Sequence, residues 1–438
     1  MSEWLVIKNN SKVKLADIPS MDILLLRKSA CGLALRPLAF FGQKVSDCVR
    51  LFVALADDKK GEIHLASTTF GPEVRSYSSF TELIPAFHIF EREFYEEFGI
   101  LPDGHQWLKP VRRNQDKYEF FRMEGEEVHE VAVGPIHAGV IEPGHFRFMC
   151  NGEDVYHLEI MLGYQHKGVE KLMVTHPSNQ LAESICGDSV IAYSTAYSQV
   201  MEILSGTQIT ERAKIIRILT LEMERIAVHI GDLGAIAGDI AYLMGASVFG
   251  ATRTLVINTM LEFCGSRFGR GMVTVGGVNF DLSEELMTKA RKTFAKVEKD
   301  VRRMFATMVA STSVLSRLEH TGPVFMDKAK ALGVVGMAAK SCGIEIDTRY
   351  CFPDSFYQNN DFKPAEFKYK GDVYSRFMLR YNEILDSFRI IEAAFKALDK
   401  INSQIKIKPD AKLLLKSGRY ELRSAEGYGS SGGEYYEW

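Results

Sequence analysis

The sequence lacks three features that would each define a class of protein. No stretch of 18 apolar residues runs without a charge, and the opening MSEWLVIKNNSKVK has no apolar core of the kind a signal peptide needs. The seven cysteines are scattered and odd in number, which disfavours a disulfide framework. We therefore expect a cytoplasmic chain with reduced thiols and no membrane span.

An excess of charge of one sign is also absent. The formal net charge is -3 with 25% charged residues, so the chain has no global basic field to attract nucleic acid. Cys342 and Cys351 are the only near neighbours among the cysteines, and their spacing fits no common zinc site. What is present is a 46% hydrophobic content over 438 residues, enough for a globular protein of about two or three domains.

The chain changes character near residue 125. Before it, LFVALADD and IHLASTTF flank the polar turn KKGE and predict two strands, while RMEGEEVHE forms a polar linker. After it, long segments have helical periodicity, and one begins at a candidate N-cap, Thr210. We predict an α+β fold in which a small α+β domain (1–125) precedes a mainly α-helical domain (126–438), with central helices near 180–203 and 210–243.

Two polar motifs could carry chemistry, although each has a simpler explanation. GPIHAGVIEPGHFRF brings His137, Glu142 and His145 together among glycines, which permit close approach of a ligand, but ordinary polar turns collect such residues too. LGYQHKGVEK places His166 beside Lys167, and a solvated helix start explains those charges equally well.

Two further patterns lie in the predicted helical part. Glu222, Arg225 and His229 share one helix face, and a structural ion pair with a neighbouring histidine is the simpler explanation because buried charges are usually paired. Cys186 and Ser189 have the spacing of a metal-binding Cys-x-x-Cys whose second thiol has become a hydroxyl. Each pattern alone is a weak indication of function.

Taken in order, the motifs resemble a known family. FHIFEREFYEEFGILPDGHQWLKPVR resembles the signature of the small C-type subunit of NADH:quinone oxidoreductase, respiratory complex I, with Glu97 for the usual aspartate and Gln106 for the usual proline. The later motifs resemble landmarks of the complex I D-type subunit and of the large subunit of membrane-bound [NiFe] hydrogenases: GPIHAGVIEPGHFRF, YQHKGVEKL, SICGDSVIAYSTAYSQVME, LEMERIAVHIGDLGAIAGDIAY and SRFGRGMVTVGGV. The fused order is most similar to the large subunit of formate hydrogenlyase-type hydrogenases.

The resemblance implies a nickel–iron centre held by four thiolates from two Cys-x-x-Cys pairs. Cys186 matches the first ligand, but Ser189 stands at the second, and no cysteine follows Cys351. A neutral hydroxyl is a poor bridging ligand for soft metals. We therefore expect no standard NiFe centre and no metal on this chain.

The resemblance also implies roles for the titratable residues. Glu142 matches a proton-relaying glutamate, and His145 and Asp188 complete the catalytic candidates. Residues expected near a cofactor, the iron–sulfur cluster of a B-type small partner subunit, are His137, His166, Lys167 and His229. Lys167 replaces the family's arginine, which keeps the positive charge but loses a planar bidentate fork.

Two functional hypotheses follow from the resemblance. The first is an electron-transfer and proton-coupling subunit of a membrane-associated complex I-like or hydrogenase-related oxidoreductase, favoured by the retained titratable groups. The second is a structural docking subunit for an iron–sulfur partner with a vestigial cavity, favoured by the missing thiols. Both imply antiporter-like membrane subunits as partners, a peripheral location on the inner face of the cell membrane, and no cofactor bound by this chain itself; quinone stays open as a ligand.

Overall fold

The computed structural model describes residues 4–112, 118–137, 143–364 and 369–408. The chain divides into two compact units. The first comprises Ser20–Ala54 with Ala66–Leu172, and the second comprises Glu3–Pro19, Leu55–Leu65 and the chain from Met173 onwards. Most strands lie in the first unit and all the long helices in the second, among the described residues. The predicted α+β fold is confirmed, whereas the domain boundary at residue 125 stays a prediction.

The N-terminal part alternates strands with short helices. In chain order these are β1 (Leu5–Lys8), α1 (Ile23–Leu33), β2 (Arg36–Val45), β3 (Cys48–Asp57), β4 (Glu62–Phe70), β5 (Ser76–Ser78), α2 (His88–Phe98), β6 (Leu101–Asp103), β7 (Val128–Val133), β8 (His145–Asn151) and β9 (Asp154–Met161). The main sheet has the order β1, β4, β3, β2. β3 and β4 are the two predicted strands, and their connecting turn places Gly61 at φ 63°, where a side chain would be strained.

Aromatic packing holds α2 in the first unit. The ring of Phe40 on β2 lies 5.4, 5.5 and 5.6 Å from the rings of Phe80, Phe87 and Phe94, at the tilted and edge-on angles that aromatic pairs prefer. Beside this cluster the buried Glu91 carboxylate accepts hydrogen bonds from the backbone N–H groups of Phe80 (2.8 Å) and Thr81 (2.9 Å). The stretch around α2, whose sequence resembles the C-type signature, therefore packs into the first unit through its own aromatic and glutamate side chains.

A second sheet follows in the same unit. β7, β8 and β9 pair antiparallel in sequence order, with Phe148 opposite both Val131 and Leu158. The predicted polar linker therefore overlaps β7.

Helices dominate the rest of the chain. They are α3 (Val169–Thr175), α4 (Asn179–Ala182), α5 (Val190–Ser205), α6 (Glu211–Asp239), α7 (Leu243–Cys264), α8 (Glu284–Val309), α9 (Thr312–Leu318), α10 (Met326–Ala331), α11 (Gly336–Ser341), α12 (Thr348–Cys351), α13 (Ser355–Asn359) and α14 (Val373–Leu398), with a small ladder of β10 (Val273–Thr274) and β11 (Gly277–Val278). Within the described ranges, no helix is both long and apolar enough to cross a lipid bilayer.

Helix α6 is the centre of the second unit. Its predicted cap is confirmed, since Thr210 Oγ1 accepts a hydrogen bond from the Ala213 N–H at 3.2 Å. Buried residues, both apolar and charged, cover most of its circumference, as expected for a helix surrounded by others, and it packs against α7 and α14. The predicted helix near 210–243 ends earlier, at Asp239, and the one near 180–203 begins only at Val190, because the turn containing Cys186 and Ser189 precedes it.

Candidate functional site

The Cys186–Ser189 turn brings a thiol and a hydroxyl into the interior at the start of α5. Cys186 is buried, Ser189 is only 1% exposed, and Asp188 between them is exposed. Ser189 occupies the N-cap position, yet its side chain caps no helix N–H, and its Oγ has no hydrogen-bond partner among the described residues. A buried hydroxyl without a partner costs about 1–3 kcal/mol, so this atom needs an explanation.

Glu224 of α6 takes over the capping that Ser189 does not provide. Its carboxyl oxygens accept hydrogen bonds from the N–H groups of Ile191 (2.7 Å) and Ala192 (3.1 Å) in the first turn of α5. Burial raises the pKa of Glu224 to about 8, and these two N–H bonds only partly oppose that shift. The carboxyl therefore exchanges its proton near physiological pH, which suits a group that moves protons.

A small cavity with a mostly apolar lining lies beside this carboxyl. It measures about 20 Å³ and is lined by the charged residues Asp188, Glu224, Arg253 and Arg267 together with apolar side chains of α6 and α7. Asp188 Oδ1 lies 3.7 Å from Arg253 Nη2. The volume holds about one water molecule, which is far below the size of a quinone headgroup.

The donor set at the turn does not fit a NiFe centre. At this turn Cys186 offers one thiol where the resemblance implies two of the four thiolates, and the Ser189 hydroxyl is a poor ligand for soft metals. In the parts of the chain that the structure describes, the one group of three metal-ligating side chains within 4.8 Å of each other is Asp57, Glu62 and His64, on the β3–β4 hairpin. The residues of the turn therefore support no nickel chemistry.

A second polar region lies deeper in the same unit, around Glu222. This carboxylate accepts hydrogen bonds from Arg349 (3.2 Å), Tyr357 (2.7 Å) and Ser387 (2.6 Å). Burial alone would raise its pKa, but the charges of Arg349 and Arg225 hold the pKa of Glu222 below its ordinary value. The predicted Glu222–Arg225 pair is present, with Arg225 Nε 3.5 Å from the carboxylate.

His229 belongs to the same buried network through Glu383. Its Nε2 lies 2.7 Å from Glu383 Oε2, which also receives Arg225 Nη1 at 3.3 Å, while Lys340 pairs with the other oxygen. Burial lowers the pKa of His229, and the Glu383 carboxylate only partly counteracts it. A neutral His229 donates from Nε2, which leaves Nδ1 as an acceptor without a partner among the described residues.

The remaining predicted residues lie in the first unit. His137, His166 and Lys167 are exposed, and His145 is half-buried, with Nδ1 3.1 Å from the Gly134 carbonyl oxygen. Glu142 lies outside the described residues. Asp188 and His229 lie in the second unit. The roles predicted for all of these residues stay predictions.

Sequence reasoning missed several residues of the second unit that the structure brings together. Glu224, Arg253 and Arg267 line the cavity, while Arg349 and Glu383 complete the network around α6. The one available signal was Glu224 itself, a second acid beside Glu222 in the stretch LEMER, within a helix rich in apolar residues. A wider groove of about 650 Å³ along α13 and α14 contains none of the predicted site residues.

Comparison with known proteins shows which family this chain is similar to. Residues 239–426 match the family described as respiratory-chain NADH dehydrogenase, 49 Kd subunit, and residues 38–122 match the 30 Kd subunit family. The D-type subunit of the NADH-quinone oxidoreductase of Carboxydothermus hydrogenoformans is 30% identical over 273 residues, which are 61% of this chain and 74% of that protein. The chain belongs to this D-type subunit family. The predicted order, in which a complex I C-type part precedes the D-type part, is confirmed.

This D-type chain is also similar to hydrogenase subunits. Formate hydrogenlyase subunit 5 of Escherichia coli is 28% identical over 349 residues, covering 72% of this chain and 61% of that protein, so the chain spans less than two thirds of that relative. A chain in the structure of the membrane-bound sulfane sulfur reductase, an archaeal respiratory membrane complex, superposes with a TM-score of 0.60 at 23% identity, covering 66% of this chain and 77% of that one. This second likeness establishes the shared fold.

Proposed function

We propose that this chain is the electron-transfer and proton-coupling subunit of a membrane-associated complex I-like or hydrogenase-related oxidoreductase, and that it works without a standard NiFe centre. Electrons come from an iron–sulfur cluster of a B-type small partner subunit. The electron acceptor is a species other than protons. The complex lies on the inner face of the cell membrane, with antiporter-like membrane subunits as further partners.

One observation carries this proposal. At the position where the resemblance implies metal-bridging sulfurs, the chain has a buried Ser189 hydroxyl that has no partner among the described residues. The first turn of α5, which follows Ser189, donates two N–H bonds to the carboxyl of Glu224, whose pKa is raised to about 8 by burial. A group that titrates near neutral pH, next to a cavity lined by Arg253 and Arg267, supports proton uptake coupled to electron arrival. A thiolate cage for nickel has no support in these residues.

A structural docking role is the second candidate, and the cavity size favours it. About 20 Å³ admits one water molecule, so an organic acceptor would require the side chains of α6 and α7 to move apart. Under this alternative the chain holds an iron–sulfur partner in place, and its titratable groups have no part in turnover.

Metal content tests the first half of the proposal. In the complex purified from its native membranes, we expect iron and acid-labile sulfide but no stoichiometric nickel. Elemental analysis of the wild-type complex and of the Cys186→Ala variant gives the answer. One nickel per chain that disappears in the variant would overturn the proposal.

Turnover of two carboxamide variants distinguishes the two candidates. Glu224→Gln removes the titrating group beside the cavity, and Glu142→Gln removes the predicted relay; each keeps the size of the side chain. Each is expected to slow turnover of the assembled complex by on the order of tenfold to a thousandfold, as for a lost general acid or base. Glu298→Gln is the control, since that half-exposed carboxylate on α8 pairs with Arg302 and lies outside the predicted site. Normal turnover in both variants would favour the docking role.

A further inference from the structure

The β7–β8–β9 sheet carries a buried charged residue on one face and several exposed apolar residues on the other. On the charged face, Glu159 is 5% exposed and accepts hydrogen bonds from Lys109 Nζ (3.0 Å) and the Phe121 N–H (2.9 Å). On the same face the Arg147 guanidinium lies 4.2 Å from the centre of the Phe120 ring. The chain between α2 and β7 thus covers this side of the sheet with its own side chains.

The opposite face carries two rows of apolar side chains. Successive residues of a strand point to opposite faces, so the register assigns each row directly. The first row runs across the three strands through Val131, Phe148 and Leu158, and the second runs through Val133, Phe146 and Ile160. Neither row contains a charged residue. These six residues are called the apolar face below.

Three of the six residues of the apolar face are exposed, and the other three are half-buried. Val131, Leu158 and Ile160 are 41%, 43% and 39% exposed, and Tyr156, two residues before Leu158, is 58% exposed. The patch extends past the end of β9, because Leu162 and Phe146 both lie close to Gly144. An antiparallel sheet with one covered face normally presents polar residues on the other. A contiguous apolar patch of a few hundred Å² is often a functional surface.

The charge and the size of the apolar face indicate which kind of surface packs on it. The two rows offer none of the lysines or arginines that hold a peripheral surface on anionic lipid, which disfavours a membrane. From strand spacing and rise, the patch including Tyr156 and Leu162 measures about 300 Å². A stable two-chain interface needs about 800 Å² on each partner, so the patch is too small to sustain a dimer of this chain by itself. It fits one part of a larger contact.

We infer that an uncharged apolar surface of another protein subunit of the same complex packs on the apolar face of the β7–β8–β9 sheet. This inference rests on the proposed membership of a multi-subunit complex. The partner surface must also be free of buried charge, because an unpaired charge facing these rows would lose its hydration without gaining a counterion.

Hydroxyl-radical footprinting of the isolated full-length chain and of the purified complex tests the inference. We expect oxidation of Tyr156, Leu158 and Ile160 to fall about fivefold or more in the complex, as for residues removed from solvent by a protein contact. Leu24 on α1, which is 57% exposed, serves as the internal control and should keep its reactivity. Unchanged oxidation of the three residues in an intact complex would overturn the inference while leaving the proposed function standing.

A photo-crosslinking residue at position 158, with the same residue at position 24 as control, identifies the covering surface. A crosslink from position 158 to another subunit supports the inference. A crosslink to lipid, or to a second copy of this chain together with a dimer mass by light scattering, overturns it. A chain that associates with no other subunit at all defeats the proposed function first, so the two failures are distinguishable.

The Leu158→Glu variant supplies the energetic test. Placing a carboxylate in the first row should weaken association with the partner subunit by at least about tenfold, because that charge would be buried unpaired. Leu24→Glu adds the same charge at a similarly exposed leucine and should leave association unchanged. Both variants should unfold at the same temperature as the wild-type chain, since neither side chain is buried. Equal association of the two variants would count against the inference.

Discussion

Two regions of the second unit hold buried polar groups in opposite ways. In the network around Glu222 and Glu383, three carboxylates face three cations: Glu222, Asp347 and Glu383 against Arg225, Lys340 and Arg349. At the turn before α5, by contrast, the Ser189 hydroxyl has no partner among the described residues. Glu224 accepts hydrogen bonds from two backbone N–H groups, and no described cation lies within salt-bridge distance of it.

This difference distinguishes a region that stabilises the fold, the scaffold, from a region that could carry chemistry, the site. A buried network in which every charged group has an oppositely charged partner fixes the positions of the helices that contribute to it, here α6, α11, α12 and α14. Buried groups that lack partners lower stability, and they persist where they interact with something else during function. The turn before α5 is therefore the better candidate for chemistry, although the network contains more charge.

Removing a cation from the network should have the largest effect. Arg349→Met leaves Glu222 and Asp347 buried without their shared counterion, so we expect the free energy of unfolding to fall by about 3–5 kcal/mol. Urea unfolding of the full-length chain measures this. Arg302→Met on α8 is the control, because its pair with Glu298 is half-exposed and contributes at most about 0.5 kcal/mol. Similar losses in both variants would show that the network is not a scaffold.

The pH dependence of stability should separate Glu224 from Glu222. Burial raises the pKa of Glu224 to about 8 in the folded chain, against about 4.3 when unfolded. Its contribution to stability is therefore complete below the unfolded pKa and is lost as pH rises through the folded one. Glu224→Gln cannot lose that proton, so its stability relative to wild type should rise between about pH 5 and pH 8, by on the order of 2–4 kcal/mol.

Glu222→Gln provides the opposite case for the same experiment. The pKa of Glu222 is lowered in the folded chain, mainly by Arg349 acting against burial, so its contribution is present above the unfolded pKa and is lost only on acidification. The difference between this variant and wild type should stay constant from pH 5 to pH 8. Parallel profiles for the two glutamine variants would contradict the distinction between scaffold and site.

Sequence patterns predicted the parts of this fold that depend on neighbouring residues. The Thr210 cap, the β3–β4 pair and the shared helix face of Glu222, Arg225 and His229 all follow from spacings of four residues or fewer, or from one short turn. The start of α5 was placed too early because apolar periodicity does not show that Glu224, from a different helix, caps α5 at Val190.

The candidate site could be predicted only in part. The family resemblance indicated the Cys186–Ser189 turn, but the groups that decide its chemistry come from α6, α7 and the segment after α7. The partners of Glu222 and His229 lie 127 and 154 residues away, at Arg349 and Glu383, and no spacing rule links such positions. Burial, which sets the pKa of Glu224, is a property of the folded chain alone.

The substitution with the smallest expected effect on stability tests the comparison between the two regions most directly. Ser189→Ala removes a buried hydroxyl that has no partner among the described residues, so stability should stay the same or increase by up to about 1 kcal/mol. Ser387→Ala is the matched change in the network, where the hydroxyl donates to Glu222 at 2.6 Å, and it should cost about 1.5–3 kcal/mol. Thermal and urea unfolding of the two full-length variants measure the contrast. If Ser189→Ala destabilises the isolated chain as strongly as Ser387→Ala, the Ser189 hydroxyl has a partner within the chain, and the turn before α5 is part of the scaffold rather than a site.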